Sequence, residues 1–365
     1  MMKRAKSQKK VVVAMSGGVD SSVAAALLKE QGYEVIGVTM NLYSLPKEVC
    51  QSENLKSCCG RQAQEDANRV AVALGISHYV VDFRREFEQT VIEDFSREYR
   101  RGRTPNPCIR CNQFIKFDLL LERANKLGAD HIATGHYAQV EWDPAAGRYL
   151  LKKGKDKDKD QSYFLYTLTQ KQLAQTIFPV GGLTKKDVRT IAAKYALPVA
   201  DKEESQEICF VPDKDYAKLL KDRIPEAFRP GPILDLEDRV LGEHDGIIHF
   251  TVGQRKGMGI AARHPLYVLS IDANKNAIVV GKNEDLYRSR LEASEVNFIS
   301  IEKLDEPKPV QAKIRYKHAE ARATIFPSGA AGIRVEFEKP QRAVTPGQAV
   351  VFYDEETVVG GGIID

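Results

Sequence analysis

The chain has 365 residues, 43% of them hydrophobic and 28% charged, with a formal net charge of +4. That length is enough for two or three domain-sized cores, and the balance is that of an ordinary globular protein, not a disordered, fibrous or membrane-spanning one. So small a positive excess excludes a surface built throughout for nucleic acid, and any such partner has to be met locally.

Lys3, Arg4, Lys6, Lys9 and Lys10 crowd the N-terminus and read as a solvated basic end. The apolar stretch behind them, VVVAM, is shorter than a signal-peptide core, so a cytoplasmic chain without a membrane span is expected. Cysteines stand at 50, 58, 59, 108, 111 and 209. With no export signal they point to metal ligation or thiol chemistry before a disulfide framework.

In chain order, VVVAM predicts a buried strand, and an alanine-rich helix follows until Gly32. Between them lies Ser16-Gly17-Gly18-Val19-Asp20-Ser21-Ser22. Gly17 and Gly18 let the backbone approach a ligand, and the free N–H groups and dipole of the helix start favour an anion. No Gly-Lys-Ser/Thr follows, and G-x-G-x-x-G spacing is absent. The turn resembles the SGGxDS PP-loop of ATP pyrophosphatases. That resemblance implies ATP held by Ala14, Met15, Ser16, Gly17, Gly18, Val19, Asp20 and Ser21, with magnesium accompanying the phosphates near Asp20.

EVIGVTM from Glu34 is a second strand, Arg61 to Leu74 a helix ended by Gly75, and His78 to Phe83 a third strand. Phe87 to Tyr99 and Gln113 to Leu127 read as helices and Asp130 to Thr134 as a fourth strand. The alternation predicts an α/β fold with a doubly wound parallel sheet. Ligands bind such sheets at the carboxyl ends of the strands, which places Met40 and Gly135 where adenine and ribose would lie, or makes them packing residues.

Between the last two helices stands RGRTPNPCIRCN, Arg101 to Asn112. Its two prolines predict an exposed, stiff loop presenting Cys108 and Cys111. The CxxC admits zinc ligation completed by Cys58 and Cys59, a redox disulfide, or nucleophilic sulfur chemistry favoured by Arg101, Arg103 and Arg110 around the thiols. Tyr149 to Asp160, YLLKKGKDKDKD, ends a hairpin in a charge-alternating surface loop. Lys185 to Tyr195 is a helix. Cys209, between Ile208 and Phe210, reads by itself as an inert core thiol.

From Gly231 short alternating segments at Ile247 to Val252, Tyr267 to Ile271 and Ala277 to Val280 indicate small β modules. VQAKIRY, ARATIF, GIRVEF, AVVFY and VVGGGII, between 310 and 365, predict a closed barrel. Arg315, Tyr316, Lys317, His318 and Arg322 form either a basic-aromatic patch suited to nucleic acid or a solvated barrel face.

SGGVDSS, RGRTPNPC with CN, ATGHYA, KDQSYFLY, SQEICFV and GQRKGMGI occur in this order over essentially the whole chain, and in that it is similar to the tRNA-specific 2-thiouridylases. The resemblance implies an adenine-nucleotide-hydrolase-like domain over 1–220, a small β-rich domain over 221–290 and an RNA-contacting barrel over 291–365. It implies 2-thiolation of the wobble uridine, position 34, of tRNA. ATP would adenylate the C2 oxygen, Cys209 would carry persulfide sulfur from a cysteine desulfurase or sulfur-relay protein, and Cys111 would act as nucleophile. The pair would end as a disulfide that a thiol reductant resets.

RNA contacts are implied at Asn106, Pro107, Cys108, His136, Lys159, Asp160, Gln161, Arg315, Tyr316 and Gln348. Another common form of the family has Asp where this chain has Cys108. That leaves Cys108 a base contact, a backup thiol, or, with Cys111 and Cys209, a ligand of an iron–sulfur cluster in an alternative cluster-dependent thiolase. A nucleotide-regulated RNA-binding module stapled by zinc is the non-enzymatic alternative.

Overall fold

The computed structural model describes residues 8–43, 60–203, 208–211, 215–329 and 332–365. Cys50, Cys58 and Cys59, and the zinc set drawn from them, lie outside the described residues. Two compact units are formed: residues 1–90, 108–214 and 356–358 in the first, and 91–107, 215–355 and 359–365 in the second.

In the first unit, strands β1 (Lys10–Ala14), β2 (Glu34–Asn41), β3 (Ser77–Asp82), β4 (His131–Ala133) and β7 (Thr176–Ile177) form a parallel sheet in the order β3-β2-β1-β4-β7. Between β3 and β7 in sequence, β5 (Ala138–Asp143) and β6 (Arg148–Lys153) make an antiparallel hairpin. Val11, Val12 and Val13 are fully buried, because helices cover both faces of a parallel sheet and leave no polar side. Helices α1 (Val19–Glu30), α2 (Arg61–Leu74) and α8 (Lys185–Lys194) contribute Val23, Ala24, Val70, Val188 and Ala192 to one core with β1. The alanines of α1 keep its axis close to the sheet. Strand order reverses between β1 and β4, so the crevice at their carboxyl ends is where a ligand belongs.

Here α3 (Arg84–Phe87) precedes a π-helical turn, Glu88–Ile92, that crosses into the second unit. A second helical stretch follows: α5 (Pro107–Arg110), a π-helical segment Cys111–Leu119 and α6 (Leu120–Lys126) run on without a break. The exposed-loop expectation for Cys108 and Cys111 is therefore corrected: both stand on a helix, three residues apart. Pro107 does not prevent it, because the first residue of a helix has no intrahelical use for its N–H and its fixed φ suits that position. The unit is completed by α7 (Gln170–Ala174).

The second unit holds α4 (Glu93–Arg100), α9 (Tyr216–Lys221) and two sheets. The smaller sheet has the order β10-β11-β8-β9, from β8 (Gly231–Leu234), β9 (Val240–His244), β10 (Tyr267–Asp272) and β11 (Ala277–Gly281). Ile247 to Val252, expected as a strand, is a single 3-10 turn over Ile247–His249. Ile247, Ile248 and Phe250 are all buried, a pattern that period-two alternation cannot produce.

The barrel uses β12 (Tyr287–Phe298), β13 (Lys308–Lys313), β14 (Ala321–Ser328), β15 (Gly332–Arg342), β16 (Ala349–Asp354) and β17 (Thr357–Ile364), closed by β12 pairing with both β15 and β17. Five of the six were legible. β12 was not, because its sequence YRSRLEASEVNF buries only Leu291 and Ala293.

Candidate functional site

β1 delivers the chain to the cradle. Met15 N–H donates to Val38 O at 2.8 Å, Thr39 Oγ1 donates to Met15 O at 2.8 Å, and the Met15 side chain is 2% exposed. Ala14 and Met15 thus present only backbone to a ligand. The turn is then fastened from inside. Ser21 Oγ accepts from Ser16 N–H at 3.2 Å and donates to Gly18 O at 3.1 Å, while Ser22 Oγ donates to the same carbonyl at 2.8 Å. Both serine hydroxyls are spent on carbonyl and loop geometry. The N-terminus of α1, with Gly18 in the N-cap position, has no side-chain cap. Its first N–H groups and the positive end of its dipole are the chemistry a phosphate requires.

Two glycines are obligatory for packing. Gly17 has φ of +68°, and a Cβ there would stand 2.3 Å from Ala63 O. A Cβ on Gly135, which follows β4, would stand 2.6 Å from Ser21 N. The segment after β4 therefore lies directly against the helix start, and this close approach is what Gly135 supplies. Met40 is paired in register with Val81 near the carboxyl end of β2.

Charges around the cradle are matched by partners the motif alone does not reveal. Asp20 accepts two hydrogen bonds from Lys185 Nζ, at 2.7 and 2.9 Å, and one from Tyr137 Oη at 2.7 Å. Lys202 Nζ donates to Gly17 O at 3.0 Å and to Asp66 Oδ2 at 2.6 Å. Asp66 is 3% exposed; burial disfavours its charge, but donors from Lys202, Arg69 and Gln62 together hold its pKa below the usual carboxylate range. Lys185 opens α8 behind a Thr184–Asp187 capping box, a signature readable in TKKD, yet nothing local in sequence shows that its ammonium reaches Asp20.

Asp20, expected near magnesium, is paired with Lys185. Among the described residues no three His, Cys, Asp or Glu side chains converge on a site that could hold a metal ion.

The cysteines stand apart in exposure: Cys108 is exposed, Cys111 is 7% exposed and Cys209 is intermediate, all three as thiols. Cys209 O accepts from Tyr43 Oη, and Phe210 meets the Phe87 ring edge to face at 5.6 Å between centroids. Phe87 ends α3, which packs on the Cys111–Leu119 segment. Phe117 of that segment lies 5.8 Å from the His136 ring, next to Gly135. A continuous run of contacts in the first unit thus links Cys209, the Cys111 helix and the cradle. Cys209, legible by itself as a core thiol, is not sealed in the core.

Arg101 and Arg103, expected around the thiols, are both paired with Glu98. Arg103 Nε pairs with Glu98 at 2.7 Å and Arg101 Nη1 with the same carboxylate at 3.2 Å. Glu98 is 8% exposed, and a carboxylate so buried has to be paired. Arg110 donates to Gln113 Oε1 at 3.2 Å.

The residues expected to touch RNA divide between the units. Asn106, Pro107, Arg315, Tyr316 and Gln348 fall in the second, Cys108, His136 and Lys159 to Gln161 in the first. His136 is 8% exposed, its Nδ1 2.6 Å from Thr134 Oγ1, and burial pushes its pKa well below the ordinary imidazole value. Asp160, expected on a solvated run, is 7% exposed and accepts from Gly154 N–H, Ser162 N–H and Ser162 Oγ. Gln161 Oε1 accepts from Tyr137 N–H at 3.0 Å. Gln348 Nε2 donates to Thr104 O at 2.8 Å, and Arg315 donates to the carbonyls of Arg342 and Ala343.

A parallel sheet whose first strand runs into an uncapped glycine turn, at the switch point of strand order, defines an ATP-using enzyme domain of the PP-loop class. Family profiles agree on the architecture: a tRNA methyl transferase HUP domain matches residues 9–213, a tRNA methyl transferase PRC-barrel domain 217–282, and an aminomethyltransferase beta-barrel domain 288–364. The tRNA-specific 2-thiouridylase MnmA of Symbiobacterium thermophilum is 54% identical over 360 residues, 98% of this chain and 92% of the relative. The tRNA-specific 2-thiouridylase MnmA 1 of Caldanaerobacter subterraneus subsp. tengcongensis is 54% identical over 356 residues, covering 98% of each. The Acetivibrio thermocellus MnmA is 52% identical over 358 residues, 98% of this chain and 99% of the relative. The chain belongs to the tRNA-specific 2-thiouridylase family, a family of tRNA sulfurtransferases. No helix among the described residues is long and apolar enough to cross a membrane.

Proposed function

We propose that the protein thiolates C2 of the wobble uridine, position 34, of tRNA at the expense of ATP. The observation that carries this reading is the uncapped start of α1 in the same unit as two thiols, Cys111 and Cys209, whose segments both meet α3: Phe210, next to Cys209, packs on Phe87, and the Cys111–Leu119 segment packs on the same helix. Oxide is a very poor leaving group, so the C2 oxygen is first adenylated. The backbone from Ser16 to Ser21 receives the departing pyrophosphate, and Lys185, held by Asp20, keeps a positive charge at the cradle.

Cys209 then holds a sulfane sulfur as a persulfide, delivered by a cysteine desulfurase or sulfur-relay protein. The terminal sulfur forms the bond to C2 and AMP leaves with the oxygen. The Cys111 thiolate attacks the inner sulfur, breaking the S–S bond of the persulfide and making the Cys111–Cys209 disulfide. The two electrons that reduce sulfane sulfur to thiocarbonyl sulfur come from these thiols, and an external thiol reductant restores them. In the alternative order, Cys111 frees hydrosulfide from Cys209 before attack on C2, with the same balance.

Residues 1–220 serve as the catalytic domain, 221–290 as a central domain and 291–365 as the RNA-contacting barrel. Asn106, Pro107 and Cys108 face the extruded base, whose removal from a single-stranded loop costs at most a few kcal/mol. Lys159, Gln161, Arg315, Tyr316 and Gln348 meet the RNA around it. His136 and Asp160 support that surface from beneath, since both are buried.

The test is mass spectrometry of tRNA nucleosides after incubation with ATP, cysteine and a cysteine desulfurase. Wild type is expected to yield 2-thiouridine, whereas Cys111→Ser and Cys209→Ser yield none while still binding tRNA. Full thiolation by Cys209→Ser would remove the persulfide step.

A further inference from the structure

The GQRKGMGI segment has no part in the site described so far. It opens a loop of the second unit whose two feet are tied together: Gly253 N–H donates to Val268 O at 2.8 Å and Val268 N–H to Gln254 O at 3.0 Å. The Gln254 side chain braces it further, accepting from Thr251 N–H and donating to Lys256 O, both at 3.0 Å. Arg255 and Gly257 to Leu266 line an open cleft of about 650 Å³.

From 255 to 266 the chain carries Arg255, Lys256, Arg263 and His264 and not one carboxylate. No side chain among the described residues forms an ion pair or hydrogen bond with the charged ends of Arg255, Lys256 or Arg263. Arg342 continues this charge at the foot of the loop. Its guanidinium lies 5.2 Å from the Tyr267 ring centroid and donates to the neutral Asn283 Oδ1 at 3.0 Å. Its Nη1 lies 3.9 Å from where a Cβ on Gly253 would stand. Arg315 in turn donates to the Arg342 carbonyl at 3.2 Å, which joins the loop to the basic-aromatic turn of the barrel.

A cation cluster left without internal carboxylates holds solution counterions, and a polyanion that displaces them gains the entropy of their release. The lining is mostly exposed and does not enclose a small ligand, as a mononucleotide pocket would. A cleft open along its length, continuing into a row of arginines, suits a sugar–phosphate strand passing over it. We propose that Arg255, Lys256 and Arg263, with His264 and continued by Arg342 and Arg315, form a phosphodiester-binding track for the tRNA substrate. The assignment rests on the reading that tRNA is the substrate, and it concerns affinity and placement, not chemistry.

The test is the salt dependence of tRNA binding by the full chain. The variant Arg255→Ala/Arg263→Ala is compared with Arg239→Ala/Lys303→Ala, which removes the same net charge from a part of the unit where each cation has a carboxylate partner. The first pair is expected to weaken tRNA binding about tenfold near 0.1 M salt and to flatten log Kd against log salt by about one to two. ATP affinity is expected to stay unchanged in both, and the second pair to stay within about twofold of wild type. Equal weakening by the two pairs would assign the effect to net charge and overturn the track. Unchanged tRNA affinity in the first pair would overturn it too, as would competition by inorganic pyrophosphate that the first pair abolishes. A wild type that thiolates tRNA while the first pair binds normally loses only the track; a wild type that binds no tRNA loses the functional reading as well.

Discussion

In the first unit the charges near the cradle stand in matched sets: Asp20 with Lys185 and Tyr137, and Asp66 with Lys202 and Arg69. In the second unit the loop from Arg255 to Leu266 gathers cations that no carboxylate among the described residues pairs with. Matched charges fix a shape, and the ligand is then read by backbone N–H groups in a geometry already assembled, as transition-state stabilisation requires. Unmatched charges fix little, but they give long-range attraction and counterion release, which suits an extended polyanion. On the proposed reading, activation of an oxygen and capture of an RNA rest on opposite electrostatic arrangements.

The largest expected effect tests the separation directly. Asp20→Asn keeps the hydrogen-bond partner of Tyr137 but removes the carboxylate that holds the Lys185 ammonium in place at the cradle, so ATP-dependent pyrophosphate release is expected to fall by roughly a hundredfold or more. The tRNA Kd is expected to stay within about twofold, and a parallel loss of RNA affinity in a binding titration would break the comparison.

A smaller effect belongs to the strut beneath the turn. Lys202→Met removes a donor from Gly17 O and from the buried Asp66, and is expected to cost about 1–3 kcal/mol in urea denaturation. The Asp66 pKa is depressed in the fold, so its contribution to stability is present above the unfolded carboxylate value and is lost as pH falls through the folded one. The difference between wild type and Lys202→Met is therefore expected to narrow below about pH 4. An undiminished difference there would mean that Asp66 is not the partner that matters.

The smallest effect sharpens the comparison by pH. His136 is held neutral by burial, its folded pKa well below the ordinary value. Below that ordinary value the unfolded chain takes a proton that the folded chain refuses, and stability falls as the solution is acidified. Relative to His136→Gln, the wild type is expected to lose stability between pH 7 and pH 6, by up to about 1 kcal/mol, read as a difference in denaturation midpoints. Affinity of the arginine-lined cleft for tRNA is not expected to follow that limb.

Much of the architecture was legible because it depends on local rules. Arg61 to Leu74 has a strong helical period and a glycine stop, and its bounds are as read. β12 escaped because half its residues face solvent, and the Ile247 to Val252 segment misled because consecutive apolar residues can pack around a turn as well as along a strand.

What the sequence by itself determined is the cradle, the parallel sheet and the barrel. Each is written in contiguous residues, through backbone freedom, period and turn chemistry. What only the tertiary structure decided is the company those residues keep. Asp20 meets Lys185 across 165 positions, Gly17 meets Lys202 across 185, and Cys209 meets Tyr43 across 166. It also decided that Arg101 and Arg103 serve Glu98, that Cys108 and Cys111 ride a helix, and that Arg342 stands at the foot of the Arg255 loop. Such pairings follow from how β1, β2 and β4 and the segments after them converge in space. A charge seeks the partner that folding brings within reach, and sequence distance carries no record of that choice.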